Sequence, residues 1–257
     1  MIIVGERINT GFKDIKQAVL DKDPKPLQEW ARKQADAGAT YIDVNLGAVS
    51  AKAADMCWMI ETVQSVVDTP ISIDTNKPAI LAEAIKACKR PPLINSTTAA
   101  DSKLDQFLPI VLEHNASIIG LAIDDTGTPK SADKRVELAA TLFAKATEAG
   151  IPPERIFLDP IVMPLKFMQE QAKEILNAAK QFTLLSDPPP HIICGLSNIS
   201  NGTTHKKLIN RTFLVMAIAN GLDAVICDVL DSDLVNAAKT AELIMNREIY
   251  ADSYVRE

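Results

Sequence analysis

The feature that most narrows the fold of this chain is a repeat of form. Short apolar runs rich in β-branched residues recur along it, each followed by a longer segment whose apolar residues fall at helical spacing. The runs read as strands at 2–8 (IIVGERI), 41–46 (YIDVNL), 70–75 (PISIDT), 92–97 (PLINST), 117–123 (SIIGLAI), 156–162 (IFLDPIV), 191–198 (HIICGLSN) and 223–229 (DAVICDV). Leu27, Trp30, Ala31, Gln34 and Ala35 mark a helix that ends on Gly38, a residue suited to a left-handed cap, and Gly150 and Gly221 close two more. A helix starting near Ser131 places Val136, Ala139, Ala140, Phe143 and Ala146 on one face, which must pack on something apolar. Eight βα units over about 250 residues match the closed parallel (β/α)8 TIM barrel, here as one domain over 1–257. An open doubly wound sheet is the alternative, but no GxGxxG or GxxxxGK[ST] follows a strand. Pro188–Pro190 reads as a rigid lead into the seventh strand, and Pro109 should kink its helix or reset the start.

Composition removes several function classes. With 47% hydrophobic and 23% charged residues, the chain can bury a large core, which excludes the disordered, collagenous and coiled-coil classes. Its 27 Lys+Arg against 33 Asp+Glu give a net charge of −6, and no basic surface for nucleic acid is expected. No apolar stretch approaches a membrane span, and Met1 opens into IIVGERI without the parts of a signal peptide; a cytoplasmic, unexported protein is expected. Cys57, Cys88, Cys194 and Cys227 stand far apart, and His114, His191 and His205 share no ligand spacing, so neither a disulfide frame nor a metal site is expected.

In a parallel barrel the active site forms at the C-terminal ends of the strands. Polar residues gather there: Glu6, Arg7 and Asn9; Asp43 and Asn45; Asp74, Thr75 and Asn76; Asn95 and Ser96; Asp159; Ser197 and Asn198; Asp228. Any one of these is more often a turn or cap residue than a ligand-binding one. Asp74, Asn95 and Asp159 together are different, because carboxylates brought into one mouth without partners cost several kcal/mol. Such a cluster asks for a ligand. Acceptors and amides favour a neutral ring rich in N–H donors, such as a pterin or a guanine-like edge, over a phosphate. Mg²⁺ held by Asp43, Asp74 and Asp159 is the minor alternative.

The motifs GERIN (5–9), EWARKQADAGATYIDVNLG (29–47), SIDTNK (72–77), INST (94–97), FLDPIV (157–162), GLSN (195–198) and LINRTF (208–213) make the chain similar to the methyltetrahydrofolate:corrinoid protein methyltransferases. These are pterin-binding, dihydropteroate synthase-like barrels. The resemblance implies transfer of a methyl group between N5 of methyltetrahydrofolate or tetrahydrofolate and the cobalamin cobalt of a corrinoid protein partner, within anaerobic one-carbon metabolism or O-demethylation, by a homodimer. It implies that Asp74, Asn95 and Asp159 grip the pterin ring, that Gly195 and Ser197 line the pocket and that Asn198 reaches N5. Glu6 lies near the site, Asp43 is a further candidate, and Lys206 stands where a basic residue could face the folate tail. Dihydropteroate synthases share the strand-end Asp and INST but carry a basic SRK-like element on strand seven, where this chain has Ser197, Asn198 and Ile199. The alternatives are such a synthase or a non-catalytic folate-binding subunit.

Overall fold

The structure is a computed structural model and describes residues 1–255. Its strands are β1 (Ile2–Asn9), β2 (Tyr41–Asn45), β3 (Ile71–Asp74), β4 (Leu93–Thr98), β5 (Ser117–Leu121), β6 (Ile156–Asp159), β7 (His191–Ile192) and β8 (Ala224–Cys227). The helices are α1 (Lys13–Asp21), α2 (Lys25–Asp36), α3 (Ala53–Gln64), α4 (Pro78–Ala84), α5 (Asp101–Glu113), α6 (Ala132–Glu148), α7 (Gln171–Phe182), α8 (Lys206–Ala219) and α9 (Ser232–Ile244). All neighbouring strands pair in parallel, in the order β7-β6-β5-β4-β3-β2-β1-β8. The seam between the two end strands is stitched by Ile226 N–H to the Cys194 carbonyl (2.9 Å), an isolated bridge from Gly195 to Ile226, and Asp223 N–H to the Ile192 carbonyl. The barrel is thus nearly closed, as the repeat of strand and helix predicts.

Two apolar clusters hold it together. A large one fills the space between strands and helices. A small one, of Val4, Leu93, Ile119, Phe157, Ile193 and Ala224, plugs the barrel interior. Side chains along a strand alternate between faces, so the residues two positions further on share the interior. On β1, β4 and β6 these are Glu6, Asn95 and Asp159, and on β2 and β3 the same face carries Asp43, Asn45, Ser72 and Asp74. The polar mouth is therefore the layer directly above an apolar floor, which keeps water from reaching it from below.

Several expectations shift in detail. Gly38, Gly150 and Gly221 all take positive φ at helix ends, as the caps require. Pro109 lies inside α5, which runs through it without a new start. On α6 the buried stripe is turned toward Arg135, Leu138 and Leu142; Val136 and Ala140 are half-buried. Arg135 is fully buried, donating to the Pro160 carbonyl (2.7 Å) and to Gln171 Oε1 (3.0 Å), and so pins the loop that follows Asp159. The seventh strand, expected over 191–198, stops at Ile192, and a 3-10 turn covers Leu196–Ser200. The sixth, expected to 162, stops at Asp159, because Pro160 cannot donate to a ladder and Ile161 takes a φ of 65°.

Candidate active site

The floor of the mouth is Asp43, 3% exposed, whose Oδ1 accepts from Ser72 Oγ (2.6 Å) and from Asn95 Nδ2 (3.1 Å). One register step higher, Asn45 pairs with Asp74 in the β2–β3 ladder, and its amide donates to the Asp74 carboxylate. Asn45 Oδ1 accepts from Gly47 N–H (2.7 Å), which fixes which way that amide faces. Across the mouth, Asp159 is 7% exposed and accepts from Ile161 N–H (2.7 Å) and from the backbone of Gly195. Asn198 stands over the same glycine: a Cβ built on Gly195 would lie 3.2 Å from Asn198 Nδ2. A larger residue at 195 would crowd that amide. Glu6 accepts from Ser197 Oγ (2.7 Å), which ties β1 to the 3-10 turn.

All four carboxyls are held above their usual range. Burial raises Asp159 to about 7, against the pull of its two backbone N–H partners. Burial also raises Glu6 to about 7; the Ser197 hydroxyl opposes this, and the charges of Asp228 and Asp43 add to it. Asp43 and Asp74 are both raised by burial, and Asp74 is raised further by the negative charge of Asp43. The common cause is burial away from water, which the donors present offset only in part. A ligand edge rich in N–H groups supplies what is missing, whereas an anion would add to the repulsion.

Two hollows lie at the strand ends, and Asn95, Asp159, Gly195 and Asn198 border neither. One, of about 370 Å³, is bordered by Asn45, Asp74, Asn76, Ser96 and Leu121. The other, of about 320 Å³, is bordered by Glu6, Ser197, Asn210 and Asp228, with Lys206 at its rim. Other polar strand-end residues have local tasks. Arg7 is sandwiched between the Phe12 and Trp30 rings, 4.0 Å from each centroid, and pairs with Asp14 (2.7 Å). Asn9 and Asp228 accept from the N–H groups of Gly11 and Leu230, two residues on, as turn-forming residues do. Sequence reasoning gave no role to Ser72 or Asn45, the partners of Asp43 and Asp74. Each lies two residues from a predicted acid on its own strand, and that spacing was the available signal. Among the described residues no group of three His, Cys, Asp or Glu side chains could hold a metal ion.

A barrel with this acidic, amide-lined mouth defines a class, and residues 5–228 match the model of the pterin binding enzyme family. The chain belongs to that family, and within it to the methyltransferase branch of its relative, the methylcorrinoid:tetrahydrofolate methyltransferase of Eubacterium limosum. The two are 32% identical over 99% of this chain and 94% of the relative. The methionine synthase of Mycobacterium tuberculosis is 27% identical over 88% of this chain, which spans 20% of that longer protein. Among solved structures, the Yersinia pestis dihydropteroate synthase (DHPS) with a pterine-sulfa conjugate superposes with a TM-score of 0.70 at 15% identity, covering 96% of this chain and 94% of that one; this likeness is one of fold.

Proposed function

We propose that the protein moves a methyl group between N5 of methyltetrahydrofolate or tetrahydrofolate and the cobalt of a corrinoid protein, with 1–257 acting as one domain in the cytoplasm. What supports the reading is that Asp74, Asn95 and Asp159 lie on the interior face of β3, β4 and β6 above the apolar plug, with the Asn198 amide close to Gly195, whose backbone Asp159 accepts from. The three side chains bind the amino and ring N–H edge of the pterin. The barrel floor and the β-strand framework orient the ring, so that the methyl group points out of the mouth.

N5 of the methylated folate is a poor leaving group until it gains positive character. Asn198 cannot supply a proton at neutral pH, but its N–H can bind N5 more strongly as charge develops. The proton itself comes from solvent. The corrinoid, carried by the partner, supplies the cobalt that takes or gives the methyl group. Lys206, which borders the hollow beside Glu6, meets the carboxylates of the folate tail. The same machinery serves both directions, and the upstream methyl donor, whether an ether as in O-demethylation or another compound, is set by the partner. A pull-down that identifies the cobalt-bearing protein settles that choice.

Among the described residues no helix is long and apolar enough to cross a membrane. An exposed apolar groove between α7 and α8, bordered by Leu165, Leu176, Leu208, Phe213 and Met216, supports the homodimer, because such a patch is stabilised by cover. Sedimentation at micromolar concentration tests it.

The direct test mixes the protein with methyltetrahydrofolate and free Co(I) cobalamin and follows the methylcobalamin absorbance. Its appearance is the expected result. Binding of the folate without that band would leave a non-catalytic folate-binding subunit. Condensation of a pterin diphosphate with p-aminobenzoate would instead mark a dihydropteroate synthase.

A further inference from the structure

Glu6 is a half-buried carboxyl that the mechanism above leaves without a task. Resting on that reading, we propose that Glu6 is a positioning residue, which through its hydrogen bond with Ser197 fixes the turn carrying Asn198 and so sets the rate of methyl transfer more than the affinity for folate. Three observations support this. β7 is two residues long, so the segment from Ile193 onward leaves the ladder before it reaches Asn198. Leu196 and Ile199, 0% and 1% exposed, anchor the inner face of the 3-10 turn, whereas Ser197 is half-buried and Asn198 exposed on its other side. Bonds within the turn are long, Asn198 N–H to the Gly195 carbonyl at 3.3 Å and Ser200 Oγ to the Ser197 carbonyl at 3.3 Å, while Ser197 to Glu6 is 2.7 Å. That short bond joins the outer side of the turn to β1, a strand paired on both sides.

The surroundings of Glu6 make this contact responsive to pH. Asp43 on β2 and Asp228 after β8 face it with negative charge, and the Cys227 thiol lies within reach of its field. Arg7, Lys206, Lys207 and Asp231 border the same hollow; Arg7 is taken up by Asp14, and Lys207 is paired with Asp231 at 3.4 Å. Glu6 titrates at about 7, so the bond to Ser197 passes from neutral to charge-assisted across the neutral range.

The test uses Glu6→Ala, Ser197→Ala, the double variant and Glu6→Gln, with methyl transfer to free cobalamin read by absorbance and methyltetrahydrofolate affinity by titration calorimetry. Loss of an orienting contact is expected to slow transfer ~10-fold in each alanine variant, with Kd within ~2-fold of the parent. The double variant should be no slower than the slower single one, since both remove the same bond. Glu6→Gln keeps an acceptor for Ser197; it should recover most of the rate and show a shallower change of rate with pH near neutrality, where Asp159 still titrates. A parental rate in Glu6→Ala, an equal loss of rate and affinity, or multiplicative losses in the double variant each overturn the assignment. If Glu6→Ala fails to fold, Ser197→Ala and the pH profile of Glu6→Gln decide alone. Failure of the parent protein to transfer methyl overturns the functional reading itself, a result distinct from a fast Glu6→Ala.

Discussion

The two sides of the barrel mouth are built differently. On the β2–β6 side, Asp43, Asp74, Asn95 and Asp159 stand on strands paired on both sides, and their carboxyls are held by Ser72, Asn45, Asn95 and the Ile161 N–H. On the β7–β8 side the ladder gives out after Ile192, and Gly195, Ser197 and Asn198 ride on a loop and a 3-10 turn. The strand-built side is fixed before any ligand arrives, which suits recognition of a rigid ring. The turn-built side presents an exposed amide, which suits contact with an atom whose charge changes during reaction. In the proposed function, binding and chemistry fall to separate parts of one rim.

The sharpest way to break this division is to weaken the strand-built side. Asp74→Asn and Asp159→Asn each remove a carboxyl that ionises once N–H donors meet it, a charge-assisted bond worth about 1.5–3 kcal/mol, and should weaken methyltetrahydrofolate binding ~10–100-fold by calorimetry. Unchanged affinity in both would place the pterin elsewhere. Asn198→Ala should do the reverse, lowering the transfer rate at least ~10-fold while Kd moves by less than ~3-fold, because its contact strengthens in the transition state. A smaller effect on the same side is expected of Gly195→Ala. Its new methyl meets Asn198 Nδ2 at 3.2 Å, and displacement by a few tenths of an ångström should cost ~3-fold in rate and leave affinity almost untouched.

A separate effect, on stability rather than on activity, concerns the empty protein. Glu6 and Asp159 titrate at about 7 when folded and, as ordinary carboxyls, at about 4 when unfolded. Between those values the folded chain binds more protons, so the contribution of these groups to stability falls as pH rises through that window. Thermal unfolding should show Asp159→Asn gaining on the parent as pH is raised from about 5 to about 8, and bound methyltetrahydrofolate should narrow that gap by supplying N–H partners. A constant difference between the two proteins across that range would mean that Asp159 is ionised in the empty site.

Much of the architecture was legible because strand and helix periodicity are local. Eight apolar runs were found where eight strands stand, and the capping glycines fell at positive φ. Errors came where tertiary contacts overrule the local pattern. The run HIICGLSN is apolar and β-rich enough to read as one strand. Yet Gly195 spans the seam to β8, and Leu196–Ser200 leave the ladder as a 3-10 turn. Arg135 went unnoticed as a core residue because only folding shows that the Pro160 carbonyl and Gln171 lie beside its guanidinium.

The chain alone settled the order of strands and helices and the presence of acids and amides at strand ends, since both follow from periodicity within a few residues. Which of those ends meet was decided by barrel closure, which brings Glu6 to Ser197 across 191 positions and Asp43 to Asn95 across 52. Arg7, Asn9 and Asp228 keep partners close in sequence instead, Asp14, Gly11 and Leu230. Hydrogen bonds act over about 3 Å, and contacts so short between residues so far apart in sequence exist only once the barrel has formed.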